Sequence, residues 1–205
     1  MKSVYNWNYL KSEFTLSNVS GILLHVIDFQ FFRTVIDLAM KPSQLIESRL
    51  AGHKKYQNPL SFYLSALFFL FLVSFISNKL FSKSLTQDSG YMHYVLTVPF
   101  IFVISVMNYL LFKRPKLNYL SHLIVTFYII GQTIFYLIFY YFLVEYLLIL
   151  NESVTMALIY SSIIFMNLFI INYRTFKRSL LATFLKSLLI IIAGIIFMSG
   201  IAQFL

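Results

Sequence analysis

Five stretches of this chain reach or nearly reach the length and apolar character expected of a bilayer-spanning helix, and that constrains its fold more than any other feature. A helix needs about 20 predominantly apolar residues to cross roughly 30 Å of hydrocarbon, because lipid offers backbone groups no hydrogen-bond partners. The stretches are Leu60 to Ser77, Tyr94 to Phe112, Leu120 to Leu143, Val154 to Tyr173 and Ser187 to Leu205. Pro59 opens the first, at a helical position that needs no amide hydrogen. Lys113-Arg114-Pro115 closes the second, Arg174 closes the fourth and Lys186 precedes the fifth. The expected class is an all-α integral membrane protein with about five transmembrane helices and an N-terminal amphipathic, interfacial helical segment.

Only 11% of the 205 residues are charged, against about 25% in soluble domains, so water alone is a poor solvent for the surplus apolar surface. The 23 Phe and 15 Tyr, against a single Trp, suit rings that face lipid and hydroxyls that sit near headgroups. Cysteine is absent, which excludes disulfides and thiolate metal sites. The net charge of +9 does not point to nucleic acid, because the basic residues form short clusters beside apolar stretches.

Those clusters instead orient the chain, since Lys and Arg are retained on the cytoplasmic side of short loops. Lys2, Lys11, Arg33, Lys41, Arg49, Lys54 and Lys55 precede the first span, Lys113, Arg114 and Lys116 follow the second, and Arg174, Lys177, Arg178 and Lys186 follow the fourth. Only Lys79 and Lys83 fall elsewhere, while the third loop carries Glu145 and Glu152. The expectation is a multi-pass protein of the cell (inner) membrane, N-terminus in the cytoplasm and C-terminus outside. Met1 to Phe14 lacks the basic-then-apolar pattern of a signal peptide, so no cleaved leader is expected.

The expected organisation is a polar tail over 1–18, amphipathic interfacial helices over 19–53 and a transmembrane domain over 54–205. At 100° per residue, Gln30, Arg33, Thr34, Asp37 and Lys41 share one arc, and Phe31, Phe32, Val35, Ile36, Leu38, Ala39 and Met40 fill the opposite side. Pro42 ends this helix and can open a second through Leu50, with Gly52 as a left-handed stop. Phe31, Phe32, Arg33, Val35 and Leu38 are the candidate contacts to a partner or to the interface.

Ionisable residues inside spans are functional candidates by default, and few are found. The intramembrane polar candidates are His122, Gln132, Asn167 and Asn172, with Asn108 a further residue that could line a path. His122 and Glu145 stand at opposite ends of one span, about 35 Å apart along a straight helix, and so cannot form one site. The histidines His25, His53, His93 and His122 lack metal-ligand spacing, and neither a nucleophile elbow nor a glycine-rich phosphate loop is present, so no metal, cofactor or catalytic residue is expected. Lys54, Lys55, Tyr56, Lys113, Arg114, Arg174, Lys177 and Arg178 would share one membrane side as topological anchors or headgroup contacts.

Phe32-Arg33-Thr34, Lys41-Pro42 and Gly52-His53-Lys54-Lys55-Tyr56-Gln57-Asn58-Pro59-Leu60 resemble an uncharacterised bacterial multi-helix membrane-protein family, itself distantly similar to Yip1-type domains. The likeness continues through Asn118 to Leu123, Tyr173 to Lys177 and Lys186-Ser187. The N-terminal Cys-x-x-Cys zinc ribbon of many relatives is missing here, Ser121 stands for the family's acidic residue before the histidine, and Tyr128 for a further histidine. The resemblance implies topology and imports no activity. The expected function is a non-enzymatic membrane subunit that scaffolds or anchors a protein partner or a second copy, in contact with the lipid bilayer. The alternatives are a small pore or lipid-handling protein and, ranked lowest, a lipid-modifying enzyme using His122 and the basic residues.

Overall fold

The computed structural model describes residues 29–81, 90–112, 117–143 and 153–202. The polar tail, the apolar run over 19–28, Lys113, Arg114 and the acidic pair Glu145 and Glu152 lie outside the described residues. Among the described residues the protein is entirely helical: α1 Phe29–Met40, α2 Pro42–Leu50, α3 Pro59–Phe81, α4 Gly90–Leu111, α5 Tyr119–Leu143, α6 Ser153–Phe176 and α7 Leu180–Ala202. Each of the five long helices overlaps one of the five apolar stretches.

Among the described residues two helices are both long and apolar enough to cross a membrane, over Tyr119–Phe139 of α5 and Leu180–Phe197 of α7, while Pro59–Val73 and Pro99–Leu111 are shorter apolar runs. α5 is the axis of the molecule, packed by α3, α4 and α6, and α7 lies outside against α4 and α6. Every residue from Ser121 to Ile134 is buried. A helix enclosed on all sides needs no polar face, which explains its apolar character all round.

Local chemistry sets the helix ends. Asn58 Oδ1 accepts the Leu60 N–H at 2.9 Å, and Asn118 Oδ1 accepts the Ser121 N–H at 3.0 Å, capping α3 and α5. α2 stops at Gly52, whose φ of 91° suits a residue without Cβ. The Gly52 N–H donates to Arg49 O and the His53 N–H to Ser48 O, the paired closure of a Schellman turn. α7 begins at Leu180, seven residues before the expected Ser187. The Ser179 Oγ accepts the Ala182 N–H at 3.4 Å as its cap. Lys186 is thus inside the helix, its ammonium donating to Leu111 O at 2.6 Å. A long aliphatic stem lets a lysine lie on apolar surface while its charge finds a helix end.

Candidate functional site

The α1–α2 hairpin is built into the bundle. Phe31 is fully buried, its ring 5.4 Å from Phe62, 5.2 Å from Phe69 and 5.9 Å from Phe135, so α1 seats between α3 and α5. Thr34 belongs to the polar arc by sequence, yet it is fully buried. Its Oγ1 donates to Gln30 O at 2.6 Å and accepts the Gln57 N–H at 3.0 Å. Gln57 in turn gives its side-chain amide to Ser65 Oγ at 3.0 Å and accepts the Tyr128 hydroxyl at 2.7 Å on its carbonyl. Gln132 Nε2 donates to the carbonyl of Val35 at 3.3 Å. The inward face is therefore Phe31, Thr34, Val35 and Leu38, whereas Phe32, Ile36 and Met40, also in the apolar arc, face outward.

The expected headgroup cations divide among several partners. Arg174 Nη1 donates to Met40 O at 2.7 Å and Ala39 O at 3.4 Å, placing a cation on the C-terminal carbonyls of α1. Lys177 pairs with Glu47 of α2 at 4.0 Å, both exposed, a contact worth little by itself. Lys54 and Lys55 are exposed, and the Lys55 ammonium lies 5.3 Å from the Tyr56 ring centroid. Arg33, 3.9 Å from Asp37, lies 5.9 Å from the same ring. Burial raises the Tyr56 pKa, and the hydrogen bond to Asp37 adds to that effect.

Inside the bundle, polar and aromatic groups form two layers at the basic end. His122 stacks on Phe176 at 5.1 Å, Phe176 on Phe112 at 4.9 Å, and the Lys186 ammonium lies 5.4 Å from the Phe112 centroid. Tyr109 meets the imidazole edge-on at 5.6 Å. One turn deeper on each helix, Asn172 Nδ2 donates to Asn108 Oδ1 at 3.0 Å and Asn108 Nδ2 to Thr126 Oγ1 at 3.4 Å. Spacings of i and i+4 on α4, α5 and α6 produce both layers from the same three helix faces. Deeper still, Asn167 Nδ2 bridges to Ile129 O at 2.9 Å and Thr133 Oγ1 at 2.7 Å.

The structure therefore places His122 and the Asn108–Asn172 pair in adjacent layers and separates them from Gln132, which serves α1, and Asn167, which serves α5. Both imidazole nitrogens of His122 and the Oδ1 of Asn172 have no hydrogen-bond partner among the described residues. Thr126 and Thr133, which did not stand out in the sequence, complete these networks together with Gln57 and Tyr128, which stood out only through the family resemblance. The only local signal of Thr126 and Thr133 was a hydroxyl-bearing residue inside an apolar run.

Residues 28–71 match the family model described as a protein of unknown function, DUF3667. Over that stretch the chain is similar to a family without an assigned activity. The match covers α1, α2, the turn through Tyr56 and the first half of α3, the segment in which the family-like residues Phe32-Arg33-Thr34 and Gly52 to Leu60 occur. No curated protein and no solved structure matches the chain.

Proposed function

We propose that this chain is a multi-pass protein of the cytoplasmic (inner) membrane. In this reading α3 to α7 are five spans, the N-terminus is inside, and the protein acts as a non-enzymatic scaffold anchoring a partner protein or a second copy. The distant Yip1-like relation belongs to the same reading. Helices of 22 to 25 residues, rising 1.5 Å each, are long enough for roughly 30 Å of hydrocarbon. α7 adds support through an inverted pattern: Thr183, Ser187, Ile190 and Gly194 face inward, while Leu181, Phe184, Leu185, Leu188, Leu189 and Ile192 are exposed. Small and polar residues at helix contacts with large apolar ones outside is the arrangement lipid favours.

The observation that carries the scaffold is where the intramembrane amides go. Asn108, Gln132, Asn167 and Asn172 each bond a neighbouring helix. A conduction path or reacting site would keep such groups for its cargo. The pore reading draws its support from the unpartnered nitrogens of His122.

The test is a variant with His122, Gln132, Asn167 and Asn172 all made apolar, purified in gentle detergent and reconstituted in liposomes. The scaffold predicts retained partner recovery, modestly lower thermal stability, and no ion or lipid flux in wild type or variant. A wild-type flux that the variant loses would replace the scaffold with the pore. Orientation is tested in the cysteine-free background: an impermeant thiol reagent on intact cells should label cysteines at Ser82 and Glu152 and spare those at Lys116 and Arg178.

A further inference from the structure

α1 divides into three sectors, and the third has no counterpart in the function proposed above. Phe31, Thr34, Val35 and Leu38 are buried against the bundle. Gln30, Arg33, Asp37 and Lys41 form a charged and polar sector. Phe29, Phe32, Ile36 and Met40 form an outward apolar sector, 80%, 44%, 55% and 64% exposed. At 100° per residue the three sector centres stand roughly 100–150° apart, so the helix meets three surroundings at once.

We infer that α1 is a wedge at the boundary of protein, lipid and water, whose Phe29, Phe32, Ile36 and Met40 sector packs against the acyl chains of the bilayer. This rests on the membrane reading given above. Depth is the first argument: Val35 is hydrogen-bonded by Gln132, which lies 13 residues into α5, so α1 runs alongside a span-length apolar run and not beyond its end. Continuity is the second. The ring of Phe32 lies 6.5 Å from Phe69, and Phe69 lies 6.4 Å from Phe68. Phe68 joins Phe71 and Phe75 in an exposed aromatic row on α3. The outer sector of α1 thus extends an apolar surface already facing outward.

Side-chain chemistry is the third argument. The sector holds two Phe, one Ile and one Met, with no hydrogen-bonding group to select a protein partner. The charged sector beside it makes the opposite contacts: Arg33 reaches Asp37 and the Tyr56 ring, and Lys55 covers the same ring. Long cationic stems can carry their charge toward headgroups from a position beside hydrocarbon, and tyrosine favours that boundary. An interfacial helix of this kind is held by acyl chains on one flank and by protein on another.

The experiment places one nitroxide-labelled cysteine at Ile36, Leu189 or Gln44 of the full chain in phospholipid vesicles. Collisions with oxygen, which concentrates in hydrocarbon, are compared with collisions with a water-soluble nickel chelate. All three sites are exposed and the native chain has no cysteine. Labels at Ile36 and Leu189 are expected to favour oxygen severalfold over the label at Gln44. If Leu189 favours oxygen while Ile36 favours nickel, α1 faces water and the wedge is overturned with the membrane reading intact. If Leu189 also favours nickel, the membrane reading falls and the wedge with it. If Ile36 is shielded from both reagents, protein covers the sector and the acyl-chain occupant is wrong. Met40→Cys repeats the measurement one turn further along.

Discussion

α5 and α7 are nearly equal in length, 25 and 23 residues, and both carry a span-length apolar run. Yet 72% of that run is buried within the protein in α5 and only 22% in α7. Hydropathy measures avoidance of water and says nothing about whether protein or lipid provides the shelter. The distinction lies in the minority residues. α5 carries Ser121, Thr126, Gly131, Gln132 and Thr133 around its circumference, and all are buried. α7 turns Thr183, Ser187 and Gly194 to one buried seam, while the exposed positions of Leu180–Phe197 are Leu, Ile and Phe. Polar atoms all round a helix require neighbours all round it, whereas a single seam requires neighbours on one side only.

The sharpest break in this comparison is steric. A Cβ on Gly131 would lie 2.8 Å from Phe62 Cδ1 and 3.3 Å from the Tyr63 Cα, and the second contact is backbone that cannot rotate away. Gly131→Leu should separate α3 from α5 and cost about 3 kcal/mol or more. Gly200 of α7 has nothing within 4 Å, so Gly200→Leu should be neutral or gain up to about 1 kcal/mol from helix propensity. Thermal unfolding in detergent measures both. Equal losses at the two glycines would mean that α7 is enclosed as α5 is.

A charge tests what surrounds α7. Leu189 is half exposed, and Leu189→Asp should cost about 2.5–3.5 kcal/mol if the neighbour is hydrocarbon. In contact with water the same substitution should cost almost nothing. Membrane-inserted yield, compared with Leu189→Ala, reads the difference, and an Asp variant recovered at wild-type levels would place that face in water.

Hydrogen bonds come next in size. Asn167→Leu removes two bonds from α6 to α5, at Ile129 O and Thr133 Oγ1. Interhelical bonds among apolar surroundings average roughly 0.6 kcal/mol with a maximum near 1.7, so the loss should be about 1 kcal/mol. A loss several times larger would show that Asn167 does more than tie two helices.

Much of the helical framework was legible because apolar runs bounded by Pro59, Lys113 and Arg174 allow little else. Less visible was the enclosure of α5, since Thr126 and Gly131 look like minor interruptions, and Gln132 like an isolated polar candidate, until their partners on other helices are known. Lys186 misplaced the start of α7, because a lysine reads as a boundary while its stem can lie along a helix and its charge can reach Leu111 O. In α1 the apolar arc was readable and its division was not: Phe31 and Phe32 are adjacent, and only the rings of Phe62, Phe69 and Phe135 decide which turns inward. The Arg174 cap on Met40 joins segments far apart in the chain, so no local pattern announces it.

The smallest effect is expected at the turn that leads into peripheral α7. Lys177 ends α6 in the left-handed region, φ 47°, with its N–H donating to Tyr173 O at 3.0 Å. That is the position where α2 uses Gly52. A side chain there costs roughly 1 kcal/mol through the clash of Cβ with the following carbonyl. Lys177→Gly relieves this strain, but it increases the freedom of the unfolded chain and removes the exposed 4.0 Å pair with Glu47, worth at most about 1 kcal/mol. The terms nearly offset, so the unfolding temperature should change little. Gly52→Lys imposes the same strain without a compensating pair and should lose about 1 kcal/mol. If Lys177→Gly instead loses more than Gly52→Lys, the contact between Lys177 and Glu47 is what fixes the hairpin to α6, and the α6–α7 turn holds more of the molecule together than the peripheral place of α7 implies.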